Sequence, residues 1–169
     1  MSLAREIGIE VPPIQLVNVS DIRGLPADAG TMEGKALAVR RFDRSTPGES
    51  IHMEDFAQVF GAYPEEKYHQ HSYANIASVL WAETGEVSTY EFFQRLVFSV
   101  LIGNADMHLK NWSLLYLDHR TPVLSPAYDL VSTLPYIPGD KLALSFGVSR
   151  SLSEITTYQV RRFADTARL

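Results

Sequence analysis

The chain has 169 residues, of which 46% are hydrophobic and 21% are charged. This length fits one domain rather than two with separate cores, and this composition is typical of soluble globular proteins rather than disordered ones. The chain has no cysteine, which excludes disulfides and thiolate zinc sites, and its net charge of −5 does not favour non-specific binding to nucleic acid.

The first predicted elements are a helical turn over Ala4–Ile7 and two strands. Gly8 ends the turn, and Pro12 and Pro13 prevent a helix from continuing. Apolar and polar residues then alternate over 14–19, and a second apolar run covers 35–42, so both segments are predicted to be strands. We expect them to pair in antiparallel fashion across a glycine-containing loop.

Three helices are predicted next, because apolar residues recur at helical spacing. They cover 51–60, 72–82 and 89–102. Ser88 with Glu91 three residues later forms a capping-box pattern at the start of the third helix. Apolar residues surround most of this helix, which is therefore expected to be central and buried. The residues expected to be almost fully buried are Phe93, Leu96, Val97 and Val100.

The remainder of the chain is predicted to contain short strands and one final helix. A hairpin joins strands at 112–117 and 122–124, and a third strand covers 141–146. Residues 126–138 are expected to be irregular, with one helical turn near Leu130. The final helix covers 153–169, with Ser153 as its N-cap. The predicted fold class is α+β and mainly α, as a single domain over 1–169.

A polar segment that follows the central helix carries the candidate chemistry. Asn111 lies five residues after Asp106, and Asp129 follows beyond the predicted hairpin. This is the spacing of the catalytic Asp and the metal-binding Asn in protein kinases, where a hairpin also leads to a metal-binding Asp. Such residues suit phosphoryl transfer, since one carboxylate orients a hydroxyl while amide and carboxylate oxygens hold Mg²⁺. Taken without Asp129, the segment 103–111 is equally compatible with a solvated loop.

Four segments of this sequence resemble the HipA-like serine/threonine kinases of bacterial toxin–antitoxin systems. They are GNADMHLKN at 103–111, LSPAYDLVST at 124–133, AVRRFDR at 38–44, and EDFAQ at 54–58 with Lys67 and Tyr68. They occur in the family's order and extend over nearly the whole chain. The resemblance implies a kinase-like helical lobe with small β-hairpins.

The resemblance also implies roles for individual residues. Asp106 corresponds to the catalytic Asp, and Asn111 and Asp129 correspond to the Mg²⁺ ligands. ATP is the implied co-substrate, with Tyr128 supporting Asp129 and the strand at Phe42 lying beside the adenine. The residues implied to bind nucleotide are Arg40, Arg41, Phe42, His108, Lys110 and Tyr128.

The sequence departs from the family at three points, one of which is the segment 69–72, where the family has a glycine-rich turn. Arg40 stands where the family has Glu in the hinge strand, which leaves a backbone contact to adenine possible but removes a carboxylate contact. No glycine-rich phosphate loop is found among the 169 residues. We therefore expect a piece of a longer kinase, or a degenerate gene product, and expect this chain alone to be inactive.

Three function classes remain open on sequence alone. The first is an ATP-dependent serine/threonine protein kinase, or its C-terminal portion. The second is a catalytically incomplete module that binds an antitoxin and acts in transcriptional regulation, and the third is a small-molecule kinase on a similar scaffold. The family implies a protein substrate, such as an aminoacyl-tRNA synthetase, and a HipB-like antitoxin through which DNA is contacted indirectly. No apolar stretch is long enough to span a membrane, and we expect a cytoplasmic protein without membrane contact.

Overall fold

The computed structural model describes residues 2–26, 33–45, 48–63 and 71–169. Five α-helices lie in these ranges, and short 3₁₀ turns cover Val19–Asp21, Leu109–Asn111 and Leu152–Glu154. The helices are α1 (Ser2–Glu6), α2 (Phe56–Val59), α3 (Tyr73–Thr84), α4 (Glu86–Leu101) and α5 (Thr157–Thr166). Lys67 and Tyr68, which contribute to the family resemblance, lie outside the described residues.

Seven short strands form three small antiparallel sheets among the described residues. The first sheet pairs β1 with β2, the second has the order β3-β4-β5, and the third pairs β6 with β7. The strands are β1 (Ile14–Asn18), β2 (Lys35–Val39), β3 (His52–Asp55), β4 (Ser113–Tyr116), β5 (Pro122–Leu124), β6 (Lys141–Phe146) and β7 (Ser149–Ser151). The predicted strands and the antiparallel pairing of the first two are confirmed, as is the α+β class.

Helix α3 begins with a capping box at Ser72, next to the start that its apolar spacing predicts. The Ser72 hydroxyl accepts a hydrogen bond from the Asn75 backbone N–H, and the Asn75 side chain accepts one from the Ser72 N–H. These two bonds satisfy backbone donors that the first helical turn leaves without partners. Gly85 ends the helix with φ of +78° and stands directly before α4.

Helix α4 exists as predicted, but its predicted start is wrong, and so are most of the residues predicted to be almost fully buried. Gly85 is the N-cap, so Ser88 lies inside the helix and forms no capping box. Phe93, Val97 and Val100 are only half-buried, whereas Leu96 is fully buried as expected. Because apolar residues surround the helix, their pattern did not indicate which face turns inward. The buried residues are Thr89, Phe92, Arg95, Leu96, Phe98 and Ser99.

Three further predictions are wrong at the level of local structure. Residues 52–55 form strand β3, which pairs with β4, and helix α2 begins only after Asp55, whose carboxylate accepts from the Gln58 N–H. The last helix starts from Thr156 rather than Ser153, because Thr156 and Gln159 form the capping box. Leu130 lies in a segment without regular secondary structure and not in a helical turn.

The core joins α3 and α4 to the β4, β5 and β6 strands and to α5. A smaller cluster packs the amino-terminal segment against α4 and against the segment that precedes Asp129; it contains Ala4, Ile9, Val11, Phe98 and Ala127. Within it, the Ala127 N–H donates to the Glu10 carbonyl over 2.7 Å. The amino-terminal segment therefore helps to fix the position of the segment that leads to Asp129.

Candidate active site

A glycine turn directs the chain from helix α4 into the polar segment. Gly103 has φ of +69°, and a Cβ there would come within 3.0 Å of Leu134 Cδ1. The Gly103 carbonyl also accepts backbone hydrogen bonds from Thr133 and Leu134. A residue with a side chain would be strained in this conformation and would collide with Leu134. The turn fixes where the polar segment starts.

Two polar residues, Asp106 and Lys110, are exposed within an otherwise mostly buried segment. Ala105, Met107 and Leu109 are among its buried residues. The buried residues anchor the backbone of the segment, and this backbone forms hydrogen bonds to other elements on both sides.

Three hydrogen bonds hold this backbone in place. The Ala105 N–H donates to Thr133 Oγ1 over 3.0 Å, and its carbonyl accepts from the Ala143 N–H over 2.8 Å. The Tyr73 hydroxyl donates to the Met107 carbonyl over 3.1 Å, and burial raises the pKa of Tyr73. Asp106 is therefore carried on a backbone anchored from α3, from β6 and from Thr133.

The two predicted metal ligands meet in space. Asn111 Nδ2 donates to Asp129 Oδ2 over 2.6 Å, although the two residues are 18 apart in sequence. Asn111 Oδ1 accepts from the His108 N–H over 3.2 Å. Asp129 has φ of +56°, a left-handed conformation that is uncommon for residues other than glycine. Such a conformation persists only when the surroundings hold it in place, and it is concentrated at functional sites.

Tyr128 connects the two halves of the site. Its hydroxyl donates to the Lys110 carbonyl over 2.7 Å and lies 2.6 Å from Ser113 Oγ. Burial raises the pKa of Tyr128 to about 12, so the hydroxyl keeps its proton at neutral pH. Its ring lies 5.5 Å from the Phe42 ring, centre to centre. Tyr128 thereby fixes the segment containing Lys110 and Asn111 next to Asp129.

A cavity of about 520 Å³ opens beside these residues and has a mostly apolar wall. Its size falls in the range of small-molecule sites. It is lined by Leu37, Val39, Arg40, Arg41, Phe42, Asp43, Met53, Asp55, Lys110, Tyr128, Asp129, Leu130 and Val131. The structure thus brings five of the six residues expected to bind nucleotide to one cavity, together with Asp129.

The sixth residue, His108, does not line this cavity. Its side chain is buried, and its backbone N–H bonds the Asn111 side chain. This position gives no support to a direct contact with a nucleotide in the cavity.

Asp106 also lies apart from the apolar cavity. It lines a second, polar cavity of about 350 Å³. The two cavities share no lining residue.

Sequence reasoning missed Asp43, a carboxylate of the apolar cavity that binds Arg41 and Arg44. Its carboxylate accepts from Arg41 Nε over 2.8 Å and from Arg44 Nη1 over 2.6 Å. The hydrogen bond from Arg41 is the main cause that holds the pKa of Asp43 below its ordinary value. Arg41 is thus engaged by Asp43. The alternation of charges in Arg41–Arg44 was the available signal.

Sequence reasoning also missed Arg95, a buried arginine that reaches the segment leading to Asp129. Its side chain is 2% exposed, Nη1 donates to the Ser125 carbonyl over 2.5 Å, and Nη2 pairs with Glu91. Burial lowers the pKa of Arg95, and Glu91 opposes that shift. A charged residue four positions after Glu91 on an otherwise apolar face was the signal that could have revealed it.

The donor set at Asn111 and Asp129 suits Mg²⁺ better than a transition metal. Mg²⁺ is often held by one or two carboxylates together with substrate phosphates and water. Among the residues that the structure describes, no group of three or more His, Cys, Asp or Glu side chains could hold a metal. Asn111 would bind through Oδ1, the atom that here accepts from His108. The pair therefore fits a metal that arrives with a phosphate-bearing ligand.

Within the described part of the chain, no helix is long and apolar enough to cross a membrane.

The chain is similar in sequence to proteins named as kinases. A protein of Sinorhizobium fredii named "Putative kinase Y4dM" is 51% identical over 170 residues, covering 100% of this chain and 41% of its own length. The "Serine/threonine-protein kinase toxin HipA" of Shewanella oneidensis is 27% identical, covering 98% of this chain and 40% of its own length. The chain thus spans about 40% of the length of these relatives.

A solved structure has the same fold. It is a chain in the complex of HipA, HipB and operator DNA from Shewanella oneidensis, with a TM-score of 0.79 and 28% identity. It covers 100% of this chain, which corresponds to 42% of that chain. The family model described as HipA-like C-terminal domain matches residues 1–168. This protein belongs to the HipA-like C-terminal domain family.

Proposed function

We propose that this chain is the portion of an ATP-dependent serine/threonine protein kinase that carries the catalytic Asp and the Mg²⁺ ligands. One observation supports this most strongly. Asn111 and Asp129, which have the kinase spacing in sequence, lie in hydrogen-bond contact beside a cavity of about 520 Å³. Relatives named as kinases make this the favoured function class.

Each residue has a distinct role in the proposed reaction. Phe42 and Tyr128 bound the apolar cavity in which the adenine lies, and Lys110 at its rim offsets phosphate charge. Asn111 and Asp129 hold Mg²⁺, which neutralises negative charge on the phosphates when it is bound.

Asp106 acts on the acceptor side of the reaction. It orients the hydroxyl of the protein substrate and accepts its proton as the oxygen attacks the terminal phosphorus and the bond to the leaving phosphate oxygen breaks. Its exposed position on an anchored backbone suits this role, since the acceptor must approach from solvent. The protein substrate belongs to this proposal, and an aminoacyl-tRNA synthetase is the first to test.

Other portions of the protein complete the site in this proposal. A phosphate cradle needs backbone N–H groups such as those of a glycine-rich loop, and such a loop is not found in the 169 residues. We expect the region that the longer relatives possess outside the matched segment to supply it, together with a lysine. The 169 residues alone should therefore bind ATP weakly and transfer no measurable phosphate.

Binding of a non-hydrolysable ATP analogue tests the metal site. The protein to use is a chimera in which this chain replaces the matching region of the Y4dM protein. Isothermal titration should detect analogue binding that strengthens with Mg²⁺, and Asp129→Asn should remove that dependence. Asp165→Asn, the same change at an exposed position in α5, is the matched control and should behave like the parent. Equal Mg²⁺ dependence in both variants would contradict the assignment of Asp129.

A second function is favoured by the solved complex that contains HipB and operator DNA. A HipB-like antitoxin would bind this chain, and DNA would be contacted only through that antitoxin, as the net charge of −5 also suggests. Gel filtration of the chain with a HipB-like protein encoded beside it should give one complex. A mobility-shift assay should then show DNA binding only when the antitoxin is present. DNA binding by the chain alone would contradict this second proposal.

A further inference from the structure

The polar cavity beside Asp106 has features of a ligand site in its own right. It has a volume of about 350 Å³, and it is lined by Ala105, Asp106, Thr133, Ile137, Asp140, Lys141, Ala143 and Arg150. A volume of this size accommodates a few amino-acid side chains. The cavity lies at Asp106, the residue that orients the acceptor hydroxyl in the proposed function.

The walls of this cavity are fixed by two hydrogen bonds to the main chain of Ala105. Ala143 of strand β6 donates to the Ala105 carbonyl over 2.8 Å, which joins β6 to the backbone carrying Asp106. Thr133 bonds the Ala105 N–H over 3.0 Å from the other side. The cavity is therefore built into the fold and is not a gap between independent loops.

Two cations line this cavity without a carboxylate partner among the described residues. Arg150 Nε donates to the Leu142 carbonyl over 2.6 Å, which orients the guanidinium and leaves its terminal N–H groups available. Neither Arg150 nor Lys141 forms an ion pair within 4 Å of a described carboxylate. The Asp140 carboxylate instead accepts from the Lys141 backbone N–H over 2.9 Å. Asp106 and Asp140 also line the cavity, but neither forms an ion pair with these cations, whose donors are therefore open to an anionic ligand.

We propose that this cavity receives the acceptor segment of the protein substrate, and that Lys141 and Arg150 select segments with an Asp or Glu side chain near the acceptor hydroxyl. This inference rests on the proposed kinase function, because it places the acceptor at Asp106. Lys141 and Arg150 are specificity-determining residues in this scheme, and the reacting atoms remain at Asp106. The phosphate of a phosphorylated product is a second anion that the same cations could bind.

Peptide binding to the 169-residue chain tests the proposal without requiring catalysis. The probes are short fluorescent peptides with one central Ser, flanked either by Asp or by Asn, and a phosphoserine version of the Asn-flanked peptide. Anisotropy at low salt should show roughly tenfold tighter binding of the Asp-flanked peptide than of the Asn-flanked one, as expected for two partly exposed charge contacts. The preference should weaken as salt rises. Equal binding of the two Ser peptides would overturn the proposal, and a preference confined to the phosphoserine peptide would assign the cavity to product.

Charge variants assign the preference to this cavity. Lys141→Gln and Arg150→Gln, which remove the charge, should each reduce the preference for the Asp-flanked peptide several-fold. Should Arg150→Gln fail to fold, Arg150→Lys keeps the charge and a donor and should reduce the preference less than Lys141→Gln does. Arg161→Gln, which changes an exposed arginine in α5, is the matched control and should keep the preference. Loss of the preference in Arg161→Gln, or its retention in both cavity variants, would overturn the assignment.

A transfer assay in the chimera with Y4dM separates failure of this inference from failure of the proposed function. Under the proposal, the chimera phosphorylates the Asp-flanked peptide with a higher kcat/KM than the Asn-flanked one, and Lys141→Gln reduces that ratio. Transfer without any preference overturns the specificity inference alone. Selective peptide binding without any transfer contradicts the kinase function and removes the acceptor role from the cavity.

Discussion

Replacing Arg95 with Met should destabilise the protein and disturb the segment that leads to Asp129. Arg95 is 2% exposed on α4, and its Nη1 donates to the Ser125 carbonyl over 2.5 Å. Met retains much of the apolar stem, so the change removes the charge and its donors without opening a large cavity. The test therefore isolates the polar contacts of this side chain.

The expected loss of stability follows from the polar groups that Arg95→Met leaves without a hydrogen-bond partner. Ser125 is 1% exposed, and a buried acceptor left without its donor costs about 1–3 kcal/mol. Glu91 also loses its partner, but its side chain is 28% exposed, so water compensates for part of that loss. Breaking a fully buried pair costs about 3–5 kcal/mol, which sets the upper limit. We expect Arg95→Met to lower the free energy of unfolding by about 2–4 kcal/mol.

Urea unfolding followed by circular dichroism measures this loss. Arg161→Met, in exposed surroundings on α5, is the matched control and should change stability by no more than about 0.5 kcal/mol. Adding Glu91→Gln to Arg95→Met should cost less than the sum of the two single changes, because the two side chains form one pair. A loss in Arg95→Met no larger than in the Arg161 control would refute the reasoning.

Three further predictions concern stability. Leu96→Ala, at a fully buried position of α4, should cost about 2–5 kcal/mol in urea melts, whereas Leu101→Ala, 79% exposed on the same helix, should cost little; equal losses would contradict the assigned buried face. The folded-state pKa of Asp43 is lowered, so its contribution to the free energy of unfolding is present above about pH 4 and is lost as the pH falls through the lower folded value. The stability of Asp43→Asn should therefore be less sensitive to acid, and an unchanged pH profile of stability would count against the Arg41 contact. Tyr128→Phe removes the hydroxyl that bonds the Lys110 carbonyl over 2.7 Å and should cost about 1 kcal/mol in the same melts, so that no measurable loss would contradict a structural role for that bond.

The parts of the fold that follow local rules were predictable from sequence. Helix α3 was predicted because Tyr73, Ile76 and Leu80 recur at helical spacing. The β4–β5 hairpin was predicted because a short polar turn separates two apolar runs. Strand β3 was missed because its stability comes from pairing with β4, about 60 residues later, which no local pattern contains. The start of the last helix was missed because Ser153 is also an acceptable cap residue, although only Thr156 has a Gln three residues later to complete a capping box.

The candidate site was predictable where its residues follow the sequence spacing of a known motif. The contact of Asn111 with Asp129 follows from a motif that fixes both residues around one hairpin. The placement of Asp106 in a cavity apart from the residues expected to bind nucleotide depends on β6 packing against the polar segment, which is a tertiary contact. Arg95 donates a hydrogen bond to the carbonyl of Ser125, 30 residues later in the sequence, and no local pattern around Arg95 indicates that partner.

Transfer of the terminal phosphate of radiolabelled ATP tests the central claim most directly. The chimera with Y4dM should phosphorylate a protein or peptide serine, and Asp106→Asn should remove nearly all of that transfer while leaving its urea melt unchanged, because the change keeps the size of the side chain and removes its charge. Asp165→Asn should transfer like the parent, and the 169-residue chain alone should give no measurable transfer. Undiminished transfer by Asp106→Asn would contradict the assigned catalytic role, and robust transfer by the 169 residues alone would mean that the phosphate-binding elements lie within them.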